Sequence, residues 1–310
     1  MSTYNITTSN GDVRYYKLYA PNENMSKRPV LLYLHGGGQS MWQIKSEYMD
    51  SLPKLAQREN ILIIAPNGVN KKTGEFDTGK SNGLSGRQQR WNDDRTEDLP
   101  IVEKVDDVAF LTELLDYIHS TYKTSREHTY VAGPSNGGFM TLKLLLDAPE
   151  YFAAGAAGIS LVPNVVEEKI PSKPTPLILW VSTKDPLLDN LNKTTFIPEG
   201  IMSPNRSLKW WASHNNAKNY KEEMTISQIG PRGCYTTLER YEGEYPVYLY
   251  RSYGSGHTLP TKGTAAPESW MFNYILGGPQ CRDIDFFTTI WDFFKKFNIE
   301  NSNNVSNIKN

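Results

Sequence analysis

The sequence predicts an α/β fold in which a mostly parallel central sheet carries helices on both faces. Strand-like and helix-like runs alternate along most of the 310 residues, as they do where helical crossovers join parallel strands. The runs at residues 30–34 and 61–65 are apolar throughout, which indicates strands buried on two faces. The run at residues 105–122 repeats apolar side chains at spacings of three and four, as an amphipathic helix does.

Each further element follows from its local pattern. Strands are predicted at residues 14–20, 30–34, 61–65, 128–132, 153–160, 177–181 and 247–251, and helices at about 105–122, 139–146 and 283–297. Residues 69–100 are polar and Gly-rich, and we interpret them as a long functional loop. We expect one domain over residues 1–298 and a disordered polar tail over residues 299–310, which are rich in Asn and Ser.

The charge balance argues against polyanionic partners. Lys and Arg total 33 against 34 for Asp and Glu, a formal net charge of −1. Because binding to nucleic acid or to a membrane surface needs a basic excess, we expect neither partner. No apolar run approaches the roughly 20 residues that span a bilayer, and the first residues lack the basic and apolar regions of a signal peptide. A cytoplasmic location is the default expectation, with secretion by another route left open.

Two cysteines, Cys234 and Cys281, lack the spacing of a metal site. One disulfide and two unpaired thiols fit the sequence equally well. We expect no metal and no organic cofactor, because the residues described next can supply both nucleophile activation and proton transfer. The oligomeric state is left open.

The segment from Gly133 to Gly137 contains a candidate nucleophile. It reads Gly-Pro-Ser-Asn-Gly and lies between a predicted strand and a predicted helix. In a nucleophile elbow this arrangement exposes a serine hydroxyl on a sharp turn, with glycines where side chains would collide with the neighbouring strand or the incoming helix. Chance alone would produce Gly-x-Ser-x-Gly in roughly one such chain in ten. The flanking strand and helix therefore strengthen the case for Ser135.

A serine nucleophile needs a general base, which follows it in the chain in this arrangement. Two histidines follow Ser135. His257 lies in a loop directly after the predicted strand 247–251, where a parallel sheet delivers catalytic side chains. His214 lies on a predicted helix. We therefore favour His257 over His214 as the base.

The base in turn needs an orienting acid. Asp185 lies at the carboxyl end of the predicted strand 177–181, and Pro186 ends the strand there. Asp189 is the alternative. We favour Asp185, which would hold the tautomer of His257 and stabilise its protonated form.

Backbone N–H groups must also stabilise the charge that develops on a carbonyl oxygen during acyl transfer. One donor is expected from Asn136, the residue after the nucleophile. The other is expected from the glycine-rich loop that begins at His35, and we favour Gly37, with Gly38 as the alternative. We expect His35 to organise this loop rather than to act as the base.

Seven short stretches together resemble one family of enzymes. They are LHGGGQ (34–39), WNDDR (91–95), VDDVAFL (105–111), SNGG (135–138), TKDP (183–186), GHT (256–258) and IWDFF (290–294). In this order they resemble the polyhydroxybutyrate depolymerase and feruloyl/acetylxylan esterase group of α/β-hydrolases, from about residue 12 to 297. The resemblance implies a single α/β-hydrolase domain with Ser135, Asp185 and His257 as its triad. In many members the substrates are plant-wall or polyester esters cleaved outside the cell.

These residues predict a serine carboxylic ester hydrolase that acts through an acyl-enzyme on Ser135. We expect small-molecule or polymer-linked esters of the feruloyl, acetyl or hydroxyalkanoate type as substrates, and we expect Trp91 and Trp211 to contact them. A serine peptidase of the prolyl-oligopeptidase type shares the elbow and the triad order, and a non-catalytic binding protein is a third alternative. Asp106 and Asp107 are expected to cap and orient the helix that begins there.

Overall fold

One large sheet runs through the part of the chain that the structure, a computed structural model, describes. The described residues are 2–22, 24–45, 50–76, 78, 88–95, 100–188, 200–230, 233–263 and 278–299. The strands are β1 (Thr3–Thr7), β2 (Val13–Tyr19), β3 (Val30–Tyr33), β4 (Leu62–Pro66), β5 (Val69–Asn70), β6 (Gln89–Arg90), β7 (Thr129–Pro134), β8 (Ala154–Gly158), β9 (Leu177–Ser182), β10 (Asn219–Thr225), β11 (Tyr235–Glu242) and β12 (Val247–Tyr253). The large sheet has the order β1-β2-β4-β3-β7-β8-β9-β12-β11-β10, and β5 pairs with β6.

The centre of the sheet is parallel. All neighbouring strands from β4 through β3, β7, β8 and β9 to β12 pair in parallel, so their carboxyl ends meet along one edge. The margins are antiparallel, with β1 and β2 on one side and β10 and β11 on the other. This topology confirms the predicted mostly parallel sheet.

Helices cover both faces of the sheet. They are α1 (Ser51–Glu59), α2 (Asp107–Tyr122), α3 (Asn136–Asp147), α4 (Pro204–His214) and α5 (Phe286–Phe294). Since successive side chains of a strand point to opposite faces, Leu32 joins a core with α2, α3 and α4, whereas Leu31 joins a core with α1 and α5. The two buried clusters confirm the predicted α/β-hydrolase layering.

Six elements of the structure were not predicted, namely β1, α1, β5, β6, β10 and β11. Strand β10 is exposed at every position and carries Lys and Glu, so it lacks the apolar signal of a buried strand. Helix α1 is short, although its buried residues Leu52, Leu55 and Ala56 have helical spacing.

The predicted functional loop at 69–100 contains β5 and β6, and its residues 77, 79–87 and 96–99 lie outside the described residues. The predicted tail lies outside them from residue 300 onwards, and the one-domain prediction stays a prediction.

The two cysteines are joined. A disulfide links Cys234, just before β11, to Cys281, with a sequence separation of 47 residues and a Cα–Cα distance of 5.7 Å. This pairing resolves the alternative that the sequence left open. Among the described residues, no helix has the length and apolar character needed to cross a membrane.

Candidate active site

Ser135 lies on a strained turn between β7 and α3. Its backbone has φ 53° and ψ −125°, a conformation that non-glycine residues rarely adopt. Two backbone hydrogen bonds hold it there: the Ser135 N–H donates to the Gly158 carbonyl (2.8 Å), and the Ser135 carbonyl accepts from the Phe139 N–H (2.9 Å). The side chain is thereby presented at the carboxyl edge of the sheet, as expected of a nucleophile elbow.

Close packing explains the glycines that flank this turn. A Cβ atom on Gly133 would lie 2.5 Å from the Leu34 carbonyl oxygen and 2.7 Å from the backbone of Gly137. A Cβ atom on Gly137 would overlap the same Leu34 carbonyl. Side chains at these positions would therefore collide with the end of β3 and with the incoming helix, as the sequence predicted.

Asp185 and His257 are directly hydrogen-bonded. The His257 Nδ1 lies 2.7 Å from the Asp185 Oδ2, and the two side chains are 11% and 0% exposed. The other carboxylate oxygen, Oδ1, accepts the backbone N–H groups of Leu187 (2.9 Å) and Leu188 (3.3 Å). Because a carboxylate only accepts hydrogen bonds, Nδ1 carries the proton, and Nε2 of a neutral ring is left as the acceptor.

The alternatives to these residues differ in their surroundings. His214 ends α4, where its Nδ1 lies 2.8 Å from the Trp210 carbonyl and its ring packs on the Trp210 ring at 4.1 Å. It has no carboxylate partner in the described part of the chain. Asp189 lies outside the described residues.

Topology brings Ser135 to the same sheet edge as the Asp185–His257 pair. The three residues follow β7, β9 and β12, whose carboxyl ends meet there. No hydrogen bond joins the Ser135 hydroxyl to the His257 ring among the described residues. In enzyme structures without bound substrate, the hydrogen bonds between catalytic side chains are often long, and they shorten once the substrate binds.

Gly37 and Asn136 lie side by side next to this edge. A Cβ atom added to Gly37 would lie 3.4 Å from the Asn136 Cβ, and Gly37 is exposed. Within the described residues, neither backbone N–H has a hydrogen-bond acceptor. By contrast, the Gly38 N–H donates to the Gln89 carbonyl (2.9 Å). Since that donor is already used, the geometry favours Gly37 over Gly38.

The side chain of Asn136 is anchored by three hydrogen bonds that the sequence did not predict. Its Oδ1 accepts the Trp91 N–H (2.8 Å), and its Nδ2 donates to the Trp91 carbonyl (3.1 Å) and to the buried Asp93 (2.7 Å). Arg95 forms an ion pair with Asp93 (2.7 Å) and lies over the Phe139 ring. The WNDDR stretch (91–95) was visible in the sequence, but nothing in the sequence indicated that it binds Asn136.

His35 organises the glycine-rich loop. It is buried, its Nε2 accepts the Gly68 N–H (3.1 Å), and its Nδ1 lies 2.9 Å from the Gly36 carbonyl. Burial lowers the pKa of His35 to about 4, with the positive charge of Arg14 contributing in the same direction. Its ring is therefore neutral near pH 7 and fully occupied by hydrogen bonds, which agrees with a structural role.

The two tryptophans predicted to contact substrate are interior residues. Trp91 is 0% exposed, and its indole N–H donates to the His35 carbonyl (2.9 Å). Trp211, on α4, is 1% exposed, and its indole N–H donates to the Thr175 carbonyl (3.4 Å). Thr175 lies just before β9 begins, so Trp211 lies at the edge of the sheet opposite to Ser135. The prediction for Trp211 is wrong because tertiary packing places its ring in the core. Trp91 instead forms hydrogen bonds to the His35 carbonyl in the glycine-rich loop and to the Asn136 side chain. Because it is buried, it has no exposed surface that a substrate could contact.

The two aspartates at the start of α2 have different roles. Asp106 is the N-cap, and its side chain accepts the Ala109 N–H (2.9 Å) as predicted. Asp107 is buried and instead accepts hydrogen bonds from Arg14 (2.6 Å) and from the Asn92 N–H (2.8 Å). It therefore fixes the loop next to Trp91 rather than capping the helix.

The described residues contain no group of three or more His, Cys, Asp or Glu side chains that could hold a metal ion. The edge of the sheet brings together a serine, an imidazole, a carboxylate and two backbone N–H groups. Such a set suits attack on a polarised carbonyl.

Comparison with known proteins assigns the family. A family model described as "Putative esterase" matches residues 8–231, well over half of the chain and including Ser135 and Asp185. The chain belongs to this esterase family. This match confirms the predicted resemblance to α/β-hydrolase esterases.

Two curated relatives are similar over part of their length. "Putative esterase NocK" of Nocardia uniformis subsp. tsuyamanensis is 26% identical over 167 residues, covering 50% of this chain and 48% of that protein. "Oxidized polyvinyl alcohol hydrolase" of Sphingopyxis sp. (strain 113P3) is 25% identical over 156 residues, covering 47% and 43%. The chain thus spans just under half the length of the curated relatives it matches.

Solved structures show the same fold at low identity. A thermostable esterase superposes with a TM-score of 0.54 and 13% identity, covering 96% of this chain and 63% of the other. Acetyl xylan esterase from Aspergillus awamori superposes with a TM-score of 0.50 and 15% identity, covering 83% of this chain and 94% of the other. Both likenesses agree with the α/β-hydrolase fold.

Proposed function

We propose that this protein hydrolyses carboxylic esters through an acyl-enzyme formed on Ser135. The observation that carries the proposal is the 2.7 Å hydrogen bond between His257 Nδ1 and the buried Asp185, at the sheet edge where the strained Ser135 lies. Membership of the esterase family supports the same reaction.

In the first half of the reaction, His257 Nε2 takes the proton of the Ser135 hydroxyl while the oxygen attacks the ester carbonyl carbon. The carbonyl oxygen becomes an oxyanion and accepts the N–H groups of Gly37 and Asn136. The C–O bond to the alcohol then breaks, and His257 returns the proton to the leaving alkoxide. Ser135 is left acylated.

In the second half, water replaces the alcohol. His257 takes a proton from the water, whose oxygen attacks the acyl carbon, and the oxyanion forms again at Gly37 and Asn136. When the bond to Ser135 breaks, the serine recovers the proton and the carboxylic acid leaves. Asp185 stabilises the protonated His257 in both halves.

The direct test is the Ser135→Ala variant with p-nitrophenyl acetate as substrate. The hydroxyl is the proposed nucleophile, so turnover should be lost while the circular dichroism spectrum and melting temperature match those of the unchanged protein. A fluorophosphonate probe should label the unchanged protein but not the variant. Retained turnover in Ser135→Ala would disprove the acyl-enzyme.

The acyl and alcohol groups are a separate question. The names of the similar proteins suggest acetylated polysaccharide and oxidised polyvinyl alcohol as polymer substrates to test alongside small esters. A panel of acetate, butyrate, methyl ferulate and a hydroxybutyrate oligomer covers the feruloyl, acetyl and hydroxyalkanoate classes. The ratio of kcat/KM values within the panel assigns the class.

A serine peptidase is the second candidate, because it would use the same elbow and triad. A peptide p-nitroanilide compared with the matching p-nitrophenyl ester distinguishes the two: amide turnover comparable to ester turnover would favour the peptidase. A non-catalytic binding protein would leave Ser135 unlabelled by fluorophosphonate.

A further inference from the structure

A segment late in the chain braces the loop that carries His257. The Gly256 N–H donates to the Pro279 carbonyl (3.1 Å), and the Thr261 N–H donates to the Cys281 carbonyl (3.0 Å). One bond lies directly before His257 and the other four residues after it. The backbone on both sides of the histidine is therefore attached to the same short segment, residues 278–281, which we call the bracing segment.

Further contacts join the bracing segment to this loop. The Gln280 side-chain amide donates to the Leu259 carbonyl (2.7 Å), and the Ser255 hydroxyl donates to the Pro279 carbonyl (3.4 Å). The bracing segment thus follows the His257 loop along most of its length.

The His257 loop also contacts the turn that carries Asp185. The Lys184 N–H donates to the Ser255 carbonyl (2.9 Å), and the Gly254 N–H donates to the Thr183 hydroxyl (3.1 Å). The loop is therefore hydrogen-bonded both to the Asp185 turn and to the bracing segment.

The disulfide attaches the bracing segment to the sheet. Cys281 is the last residue of that segment and is bonded to Cys234, which directly precedes β11. The first residue of β11, Tyr235, pairs in register with Tyr253 at the end of β12. The covalent bond therefore anchors the segment beside the strand that leads into the His257 loop.

We propose that the Cys234–Cys281 disulfide positions His257 for catalysis, so that full activity requires the oxidised protein. The proposal rests on the role of His257 in the proposed function. Asp185 orients the ring through Nδ1, but the backbone of the loop depends on the bracing segment. Once the disulfide is broken, the segment loses its covalent link to Cys234 beside the sheet, and a displacement of about 1 Å at a catalytic group can cost about 100-fold in rate.

The test compares the oxidised protein with the Cys234→Ser/Cys281→Ser double variant, well below the melting temperature of both. With p-nitrophenyl acetate, we expect kcat to fall about 10-fold or more while KM changes little, because ring position affects the transition state more than binding. Amide hydrogen exchange at Gly256 and Thr261 should become faster in the variant. Reductant should lower the kcat of the natural protein and leave that of the double variant unchanged.

A matched control separates positioning from lost stability. Tyr130→Phe removes the hydrogen bond from the Tyr130 hydroxyl to the Phe297 carbonyl (2.8 Å), near the amino end of β7 and away from the His257 loop. This variant should melt earlier but keep its kcat. The proposal is overturned if the double variant retains the kcat of the natural protein, or if the two amides keep their protection. Should the natural protein not cleave esters at all, the function proposed for Ser135 fails, and amide exchange still tests whether the disulfide holds the loop.

Discussion

Trp91 and Asn136 exchange two hydrogen bonds, from the Trp91 N–H to Asn136 Oδ1 (2.8 Å) and from Asn136 Nδ2 to the Trp91 carbonyl (3.1 Å). Asp93 accepts a third from the same amide (2.7 Å). Asn136 is also the first residue of α3, whose opening N–H groups have no partner within the helix. The residue whose N–H we propose as an oxyanion donor is thus held by a loop on a different part of the chain. A donor fixed in advance needs no reorganisation during the reaction.

The Asn136→Ala variant should lose activity although it keeps its backbone N–H. Without the three side-chain bonds, the start of α3 can shift relative to Gly37, and we expect kcat to fall about 10-fold with little change in KM. Steady-state kinetics with p-nitrophenyl acetate measures this split.

Asn215→Ala is the matched control for that variant. Asn215 is also buried and makes an equivalent set of bonds, from the Thr175 N–H (3.1 Å) and to the carbonyls of Thr175 (2.7 Å) and Tyr245 (3.0 Å). It lies at the other edge of the sheet, so its loss should lower stability and spare kcat. Equal losses of kcat in the two variants would show that Asn136 acts only through stability.

Asp185→Asn should abolish most of the turnover while retaining the fold. The amide cannot stabilise a protonated His257 and can favour the wrong tautomer, and the same change in a serine protease triad lowers kcat by about 10,000-fold. Glu239→Gln is a suitable comparison, because Glu239 is a buried carboxylate that pairs with Arg251 (2.7 Å) and lies in β11 opposite Leu249, away from the His257 loop. Turnover within about 10-fold of the natural protein in Asp185→Asn would contradict the assignment of this acid.

Removing the disulfide should lower the free energy of unfolding. For a loop closed over 47 residues, the chain-entropy relation gives a loss of about 4 kcal/mol at 25 °C. Urea unfolding of the Cys234→Ser/Cys281→Ser variant measures this loss. It arises because the unfolded chain gains conformational entropy without the disulfide, and it is therefore separate from any effect on kcat. An unchanged unfolding midpoint would mean that the bond does not form in the folded protein.

Stability should also fall in mild acid because two histidines are buried in neutral form. Burial lowers the pKa of both His35 and His119 to about 4. Between the unfolded value of about 6.5 and pH 4, the unfolded chain binds protons that the folded protein does not, so stability is full above pH 6.5 and declines as the pH falls. Near pH 5, each of the two buried histidines then lowers the free energy of unfolding by about 2 kcal/mol.

Urea unfolding at neutral pH and near pH 5 checks this expectation. His119→Gln should flatten the pH dependence because its ring, held between Thr124 (2.7 Å) and Thr129 (3.1 Å), no longer titrates. A variant that keeps the full pH dependence of the natural protein would show that His119 does not contribute.

Local pattern determined much of the parallel core and of the candidate site. Strands buried on two faces are apolar throughout, so β3, β4 and β9 were visible from short runs of sequence. The turn at Ser135 was visible because close backbone packing permits little besides glycine at Gly133 and Gly137. These features are local, and the sequence alone predicts them.

The remaining features depend on which distant segments meet. Exposed β10 pairs with β11 through its backbone, which leaves no apolar signal in its side chains. Whether a tryptophan lines a cleft or fills the core depends on what packs over it, and the structure buries Trp211. Gly37 is distinguished from Gly38 by the Gln89 carbonyl, about fifty residues away along the chain.

The sequence by itself determined the fold class, through the alternation of strand-like and helix-like runs along the chain. It also determined the elbow and the candidate residues around it, because each of these depends on a few consecutive residues. The tertiary structure decided between the alternatives that the sequence left open, by bonding Asp185 to His257 and Cys234 to Cys281. It alone revealed that Asn136 binds Trp91. Hydrogen bonds and disulfides form between atoms a few ångströms apart, and separation along the chain does not specify that distance.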